Sequence, residues 1–229
     1  MKGSNYKHQK HLKSLQARWS SWSALLILAL LYEALPKTFY SGPRGLMICL
    51  VGLLLIPMII THWHDSYRAN HVLVWTVNII TTLYLIISVA RLISLEINGR
   101  IEPEQLLLSS ILLWAANIIL FALWYWNLDA GGPRKRELKD NIAQTSFLFP
   151  QTQMVMTQQS GSLPSSIKDW EPTFVDYLFL SFNTSTAFSP TDTPVLTRWA
   201  KCMSMIQALV SLTIIVMLAA RAINILNPG

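Results

Sequence analysis

The residues best suited to chemistry form a run of hydroxyl side chains that ends in an acid. Residues 183–194 read Asn-Thr-Ser-Thr-Ala-Phe-Ser-Pro-Thr-Asp-Thr-Pro. Hydroxyls and a carboxylate attract cations, and a symmetric oligomer would repeat each of them as a ring around its axis. Such rings would line a path for cations along the axis. The residues predicted to line this cation path are Thr184, Ser185, Thr186, Ser189, Thr191 and Asp192. The alternative is a packing element whose hydroxyls bond to the backbone of their own helix.

A group of histidines beside Asp65 is the second place where chemistry is conceivable. The candidate metal or proton ligands are His62, His64 and His71. His64 and His71 are two helical turns apart, so one helix could present both on the same face. Histidine is also an ordinary side chain at membrane interfaces, because its ring is amphipathic. We therefore predict no metal and no cofactor.

One basic residue, Arg91, falls inside an apolar run. It can extend its guanidinium to the lipid headgroups or pair with Glu96 or Glu33. The alternative is a charge-bearing role in proton-coupled transport. A single arginine without a repeating pattern argues against a voltage sensor.

Enzymatic chemistry has little support in the sequence. It has no nucleophile elbow, glycine-rich phosphate loop, zinc-binding cysteine pattern or HExxH motif. The two cysteines, Cys49 and Cys202, form no disulfide framework. We predict that the protein is not an enzyme.

Composition indicates an integral membrane protein. The chain has 229 residues, of which 52% are hydrophobic and 13% charged, whereas soluble proteins carry about 25% charged residues. The net charge of +6 comes from basic residues beside apolar runs, where lipid headgroups attract them. The expected partner is therefore the lipid bilayer and not nucleic acid.

Apolar runs and polar breaks predict an all-α, polytopic membrane helix bundle. We expect about five transmembrane helices plus one re-entrant half-helix. The predicted regions are a basic cytoplasmic N-terminus (1–21), a four-helix transmembrane region (22–126), a polar loop (127–171) and a pore-loop-like re-entrant helix plus a final transmembrane helix (172–229). The final helix is expected to run from Val195 to about Asn224, with the polar Gln207 on its length. Residues 129–133, Asp-Ala-Gly-Gly-Pro, are predicted to form a turn. Phe147 and Phe149, in the polar loop, are predicted to dock onto the membrane helices.

The re-entrant prediction depends on length and polarity. A helix that starts near Pro172 and runs to residue 187 would span ~24 Å at ~1.5 Å per residue. The hydrocarbon core is ~30 Å thick, and the last turns are too polar to face lipid. A half-helix fits better than a crossing, although a full crossing of residues 173–189 stays an alternative.

The distribution of basic residues predicts the orientation. Five basic residues in the N-terminal segment, together with Arg68 and the cluster at 134–139, fit the cytoplasmic side. The expected location is the bacterial cytoplasmic (inner) membrane, with the N-terminus inside. On this orientation the half-helix would enter from the cytoplasm.

Residues 174–226 resemble the pore-loop and inner-helix module of tetrameric, potassium-channel-like cation channels. Residues 183–186 match the end of the pore helix in those channels. Asp192 matches the acid that follows the selectivity filter, and Pro194 matches the proline after it. Arg198 and Lys201 match the basic residues before the inner helix. In those channels the loop enters from outside, whereas glutamate-receptor channels carry an inverted loop. The whole chain also looks like uncharacterised multi-pass proteins of bacterial inner membranes.

The filter departs from the family pattern. Residues 187–191, Ala-Phe-Ser-Pro-Thr, stand where the family has Thr-Val-Gly-Tyr-Gly. The two glycines that let successive carbonyls face the ion are missing, and Pro190 fixes its own backbone. The resemblance therefore implies a weakly selective path for monovalent cations in a homo-oligomer. A non-conducting scaffold or accessory protein is the alternative, and a proton-coupled transporter is the third hypothesis.

Overall fold

A computed structural model of the chain describes residues 19–39, 43, 45–63, 67–138, 145–157, 170–186 and 192–226. These residues are all-α, which confirms the predicted fold class, and their only β-pairing is an isolated bridge. Ser189 and Thr191 of the predicted cation path, and His64, lie outside the described residues.

Eight α-helices are numbered here in chain order through the described residues. They are α1 (Trp19–Glu33), α2 (Leu46–Trp63), α3 (Tyr67–Ile97), α4 (Pro103–Leu128), α5 (Pro133–Leu138), α6 (Pro150–Thr157), α7 (Phe174–Thr186) and α8 (Arg198–Leu226).

Within the described residues, three stretches of helix are long and apolar enough to cross a membrane. They are Asn70–Ile97, Pro103–Gly131 and Arg198–Ala219, with 28, 29 and 22 residues. Shorter apolar stretches occupy Trp19–Glu33 and Leu46–Met58. By length and composition these are the helices of a membrane protein; the count of five crossings stays a prediction.

Contacts divide the chain into two compact units. The described residues of the first unit are 19–21 and 121–207 (without the gaps given above), and those of the second are 22–120 and 208–226. The divisions fall inside α1, α4 and α8.

In the second unit, polar side chains fasten α1 and the turn after it. The buried Tyr32 hydroxyl donates to the Thr81 carbonyl of α3 at 3.0 Å. The Glu33 carboxylate accepts the Gly45 N–H at 2.7 Å. Arg91 donates to the Phe39 carbonyl at 2.7 Å, so its guanidinium serves a structural hydrogen bond in addition to any role at the headgroups.

The predicted polar loop contains more helix than its composition suggests. The 3₁₀ turn Asp129–Gly131, α5 and α6 all lie within it. Both α5 and α6 begin with a proline, a residue favoured at the first helical position because its missing N–H would be unpaired there. Phe147 and Phe149 are buried. Phe147 packs on Tyr125 of α4 and Phe149 on Tyr177, which explains how so polar a segment is held.

The start of α7 is capped by Asp176. The backbone N–H and the hydroxyl of Thr173 both donate to the Asp176 carboxylate, at 2.6 and 2.8 Å. An acid three residues after the cap residue that accepts its backbone N–H is one half of a capping box, and the helix begins at Phe174, with Pro172 before it. Its 13 residues span about 20 Å, less than the predicted ~24 Å.

The start of α8 is later than the predicted Val195 because the backbone before it is paired elsewhere. Val195 forms an antiparallel bridge with Phe147. Leu196 N–H donates to the Ser146 carbonyl at 2.8 Å, and Leu148 N–H donates to the Pro194 carbonyl at 3.0 Å. These residues are extended, so the helix begins at Arg198.

Candidate functional site

A glutamine clamp, formed by Gln207 with Tyr125, Ser181 and Ser185, holds α7 within the first unit. Gln207 Nε2 lies 2.8 Å from the Ser181 carbonyl, 2.7 Å from Ser181 Oγ and 2.8 Å from Ser185 Oγ. An amide nitrogen carries two hydrogens, so one of them is shared between acceptors. Ser181 and Ser185 are four residues apart and therefore lie on one face of α7.

The other end of the Gln207 amide is bound by α4. The Tyr125 hydroxyl donates to Gln207 Oε1 at 2.5 Å and lies 3.4 Å from Ser204 Oγ. Tyr125 and Gln207 are both fully buried. Buried polar groups are costly unless they are paired, and here the clamp pairs them across α4, α7 and α8. Helix α7 is therefore fixed by hydrogen bonds as well as by packing.

The described members of the predicted cation path have different environments. Ser185 is buried in the clamp, and Thr184 donates to the Leu180 carbonyl at 2.9 Å. Thr186 donates to the Asn183 carbonyl at 3.2 Å and is half-buried. Asp192 is exposed. The structure thus brings Ser185 and Thr184 to the inner side of α7, while Asp192 lies on the surface.

A buried acid, Asp129, organises the turn at the end of α4. Its carboxylate is fully buried and accepts the Ser146 N–H at 2.5 Å and the Tyr177 hydroxyl at 2.6 Å. Burial is the largest cause that raises the pKa of the Tyr177 phenol well above its ordinary value, so the phenol stays a protonated donor. Asp129 thereby joins the end of α4 to α7 and to the segment before α6.

The Arg136 guanidinium, on α5, lies over two aromatic rings. Its carbon is 4.3 Å from the Trp126 ring centroid and 5.1 Å from the Tyr177 ring centroid. Its Nη1 donates to the carbonyls of Trp126 and Asp129, both at 2.8 Å. The cation is thus held by ring faces and by the carbonyls at the end of α4, where the helix dipole is negative.

Tyr177 is the centre of an aromatic cluster, which consists of Trp126, Phe147, Phe149, Phe174 and Tyr177. The Tyr177 ring lies 5.5 Å from Trp126, 6.1 Å from Phe147 and 5.3 Å from Phe149, all edge to face. Such edge-to-face pairs add about 0.5–1.5 kcal/mol each to the burial of their area. The cluster therefore fixes the first half of α7, and the clamp fixes the second half.

The predicted histidine site is only partly described. Trp75 Nε1 donates to His71 Nε2 at 3.2 Å, and the two rings pack at 5.8 Å. His62 belongs to α2, and its side chain lies outside the described part. Within the described residues no group of three or more His, Cys, Asp or Glu side chains could hold a metal ion.

An open pocket of about 250 Å³ lies beside the turn at the end of α4. We name it the Lys135 pocket; its lining includes Gly131, Lys135, Ser146, Thr197 and Trp199. Gly131 has φ +80°, and a Cβ there would lie 2.6 Å from Lys135 Cδ. Glycine thus allows the lysine stem to cross the turn and reach the pocket.

Comparison with protein-family models, with curated proteins and with solved structures gave no match. The argument for function therefore depends on the geometry of the first unit.

Sequence reasoning did not identify the residues that hold this site together. Gln207 was noted only as a polar residue of the last helix, and Asp129 only as part of a turn. The i, i+4 spacing of Ser181 and Ser185 was a usable signal, since two hydroxyls on one helix face can bind the same partner on a neighbouring helix. For Arg136 and Tyr177 the sequence offered no such signal, because their contact depends on the turn between α4 and α5.

Proposed function

We propose that this chain is a multi-pass protein of the bacterial cytoplasmic membrane that assembles as a homo-oligomer and forms a weakly selective cation path. The observation that supports the proposal is the anchoring of the short helix α7 by Gln207 of the apolar helix α8. A half-helix held to the following membrane helix is the arrangement that a pore loop requires. Residues of the loop between them, ending at the exposed Asp192, are the proposed lining.

Electrostatics support cations over anions. The last four carbonyls of a helix lack partners within the helix, and its C-terminal end carries a partial negative charge. The C-terminal end of α7, at Thr186, lies six residues before Asp192. In a symmetric oligomer these charges would be repeated around the axis. On this proposal Ser185 and Thr184 anchor α7, and Thr186, Ser189, Thr191 and Asp192 meet the ion.

The side of the membrane follows from charge. The basic residues of the N-terminal segment and of the stretch 134–139 support a cytoplasmic N-terminus and a cytoplasmic position for the turn after α4. The half-helix would then enter from the cytoplasm.

A second candidate function is a non-conducting scaffold or accessory subunit. It is favoured by the hydroxyls of Thr184, Ser185 and Thr186, each of which already has a partner within the protomer. Groups bonded in this way contribute to packing whether or not an ion passes.

The experiment that separates the two is cation flux through the purified full chain in liposomes at several voltages and pH values. On the pore proposal the protein conducts, Asp192→Asn lowers the flux, and Glu171→Gln, which removes another exposed acid, leaves it unchanged. A strictly monomeric particle, no flux under any condition, or flux insensitive to Asp192→Asn would refute the proposal. Absence of flux in a well-folded oligomer would instead support the scaffold.

A further inference from the structure

The Lys135 pocket has features that the proposed cation path does not use. It lies in the first unit, where the apolar stretch Pro103–Gly131 ends and the stretch Arg198–Ala219 begins. In a membrane protein the ends of spanning helices lie at the depth of the lipid headgroups. Trp199, which lines the pocket, is of the residue type enriched at that depth.

The polar groups of the pocket have spare hydrogen-bonding capacity. Lys135 is exposed, and no described residue binds its ammonium group. Ser146 is 3% exposed and uses its backbone N–H on Asp129, but its hydroxyl makes no hydrogen bond within the described residues. Thr197 Oγ1 is buried and likewise has no partner there.

A cation and two hydroxyl donors around a space of about 250 Å³ match a phosphate group. Phosphate oxygens accept hydrogen bonds from ammonium and hydroxyl groups, and charge-assisted bonds of this kind are the stronger ones. The backbone of Ser146 is held in place because it is bonded both to Asp129 and, through its carbonyl, to Leu196. Ser146 is thus placed beside the pocket by the same contacts that fix the turn.

We propose that the Lys135 pocket binds a phosphate group, with Lys135 as its cation and Ser146 and Thr197 as hydroxyl donors. At headgroup depth the carrier is the phosphodiester of an anionic phospholipid; free inorganic phosphate has the same chemistry. This binding would fix the turn between α4 and α5 against the membrane surface.

The test measures binding to the purified full-length protein in detergent by native mass spectrometry. The probes are phosphatidylglycerol, the uncharged diacylglycerol that lacks its phosphate, and inorganic phosphate. Lys135→Gln is compared with Lys201→Gln, which removes an exposed lysine of α8 outside the pocket lining. Thr197→Val removes the hydroxyl at nearly constant shape. Unchanged thermal unfolding shows that the variants fold.

We expect phosphatidylglycerol to bind and diacylglycerol not to. Lys135→Gln should weaken binding about tenfold or more, against about fivefold at most for Lys201→Gln, the factor for one lysine near an anionic surface. Saturation by inorganic phosphate with the same dependence on Lys135 would assign the site to the free anion. Equal effects of the two lysine variants, or binding of diacylglycerol as well as phosphatidylglycerol, would overturn the proposal.

Discussion

Gln207 Nε2 lies 2.8 Å from Ser185 Oγ, so a side chain of α8 holds the last turns of α7. The same nitrogen reaches Ser181 one turn earlier, and the opposite end of the amide accepts the Tyr125 hydroxyl. One residue therefore joins three helices of the first unit. Whatever residues 187–192 do, the helix that leads into them is fixed by this amide.

Replacing Gln207 with leucine should destabilise the protein by about 1–2 kcal/mol, because the Tyr125 and Ser181 groups lose a buried partner. Unfolding followed by tryptophan fluorescence measures the change in the free energy of unfolding. Gln105→Leu, at an exposed glutamine of α4, is the matched control and should change it little. Equal effects at the two positions would show that the clamp contributes nothing.

The Asp129–Tyr177 hydrogen bond should give a large coupling energy. Asp129→Ala and Tyr177→Phe each remove one side of the 2.6 Å contact. Because the acceptor is a buried carboxylate, we expect the double-mutant cycle to give a coupling of about 1.5–3 kcal/mol. The same cycle with Glu171→Ala in place of Asp129→Ala should give a value near zero. A coupling no larger than this control would mean that the bond does not stabilise the turn.

Arg136→Lys should be poorly tolerated although it keeps the charge. Lysine cannot cover the Trp126 and Tyr177 rings as a planar guanidinium does. We expect a loss of about 2 kcal/mol in the free energy of unfolding. Arg100→Lys, at an exposed arginine, should be silent in the same assay. If the Arg136→Lys protein were as stable as the unchanged protein, the positive charge alone would account for the contribution of this residue, and the planar guanidinium would not be needed.

Local patterns in the sequence predicted the helices that depend on local chemistry. Long apolar runs predicted α3, α4 and α8 because length and hydropathy alone determine whether a helix can cross a membrane. The helices α5 and α6 were missed, although Pro133 and Pro150 were signals for their first residues. The predicted start of α8 was wrong by three residues because the partner of Val195, Phe147, lies 48 positions earlier in the chain.

The candidate site was less predictable for the same reason. The hydroxyls of α7 were recognised, but their partner Gln207 lies 22 and 26 residues further on, beyond the reach of any helical periodicity. Asp129 was assigned to a turn by composition, which the structure confirms, since Gly132 N–H donates to its carbonyl at 2.9 Å. Its carboxylate becomes a buried hydrogen-bond acceptor only when folding brings Ser146 and Tyr177 beside it. The sequence therefore predicted the long helices but not the contacts between segments that are distant in the chain.

These long separations have a consequence for the order of assembly. Tyr125 and Gln207 are 82 residues apart, and Asp129 and Tyr177 are 48 apart. During synthesis the C-terminal end of α4 therefore emerges well before its partners Tyr177 and Gln207 exist. Non-local contacts of this kind form slowly because a long loop must first close. The first unit can thus be completed only after α8 has been made. Synthesis of α8 is therefore the step that commits the newly inserted chain to its final structure.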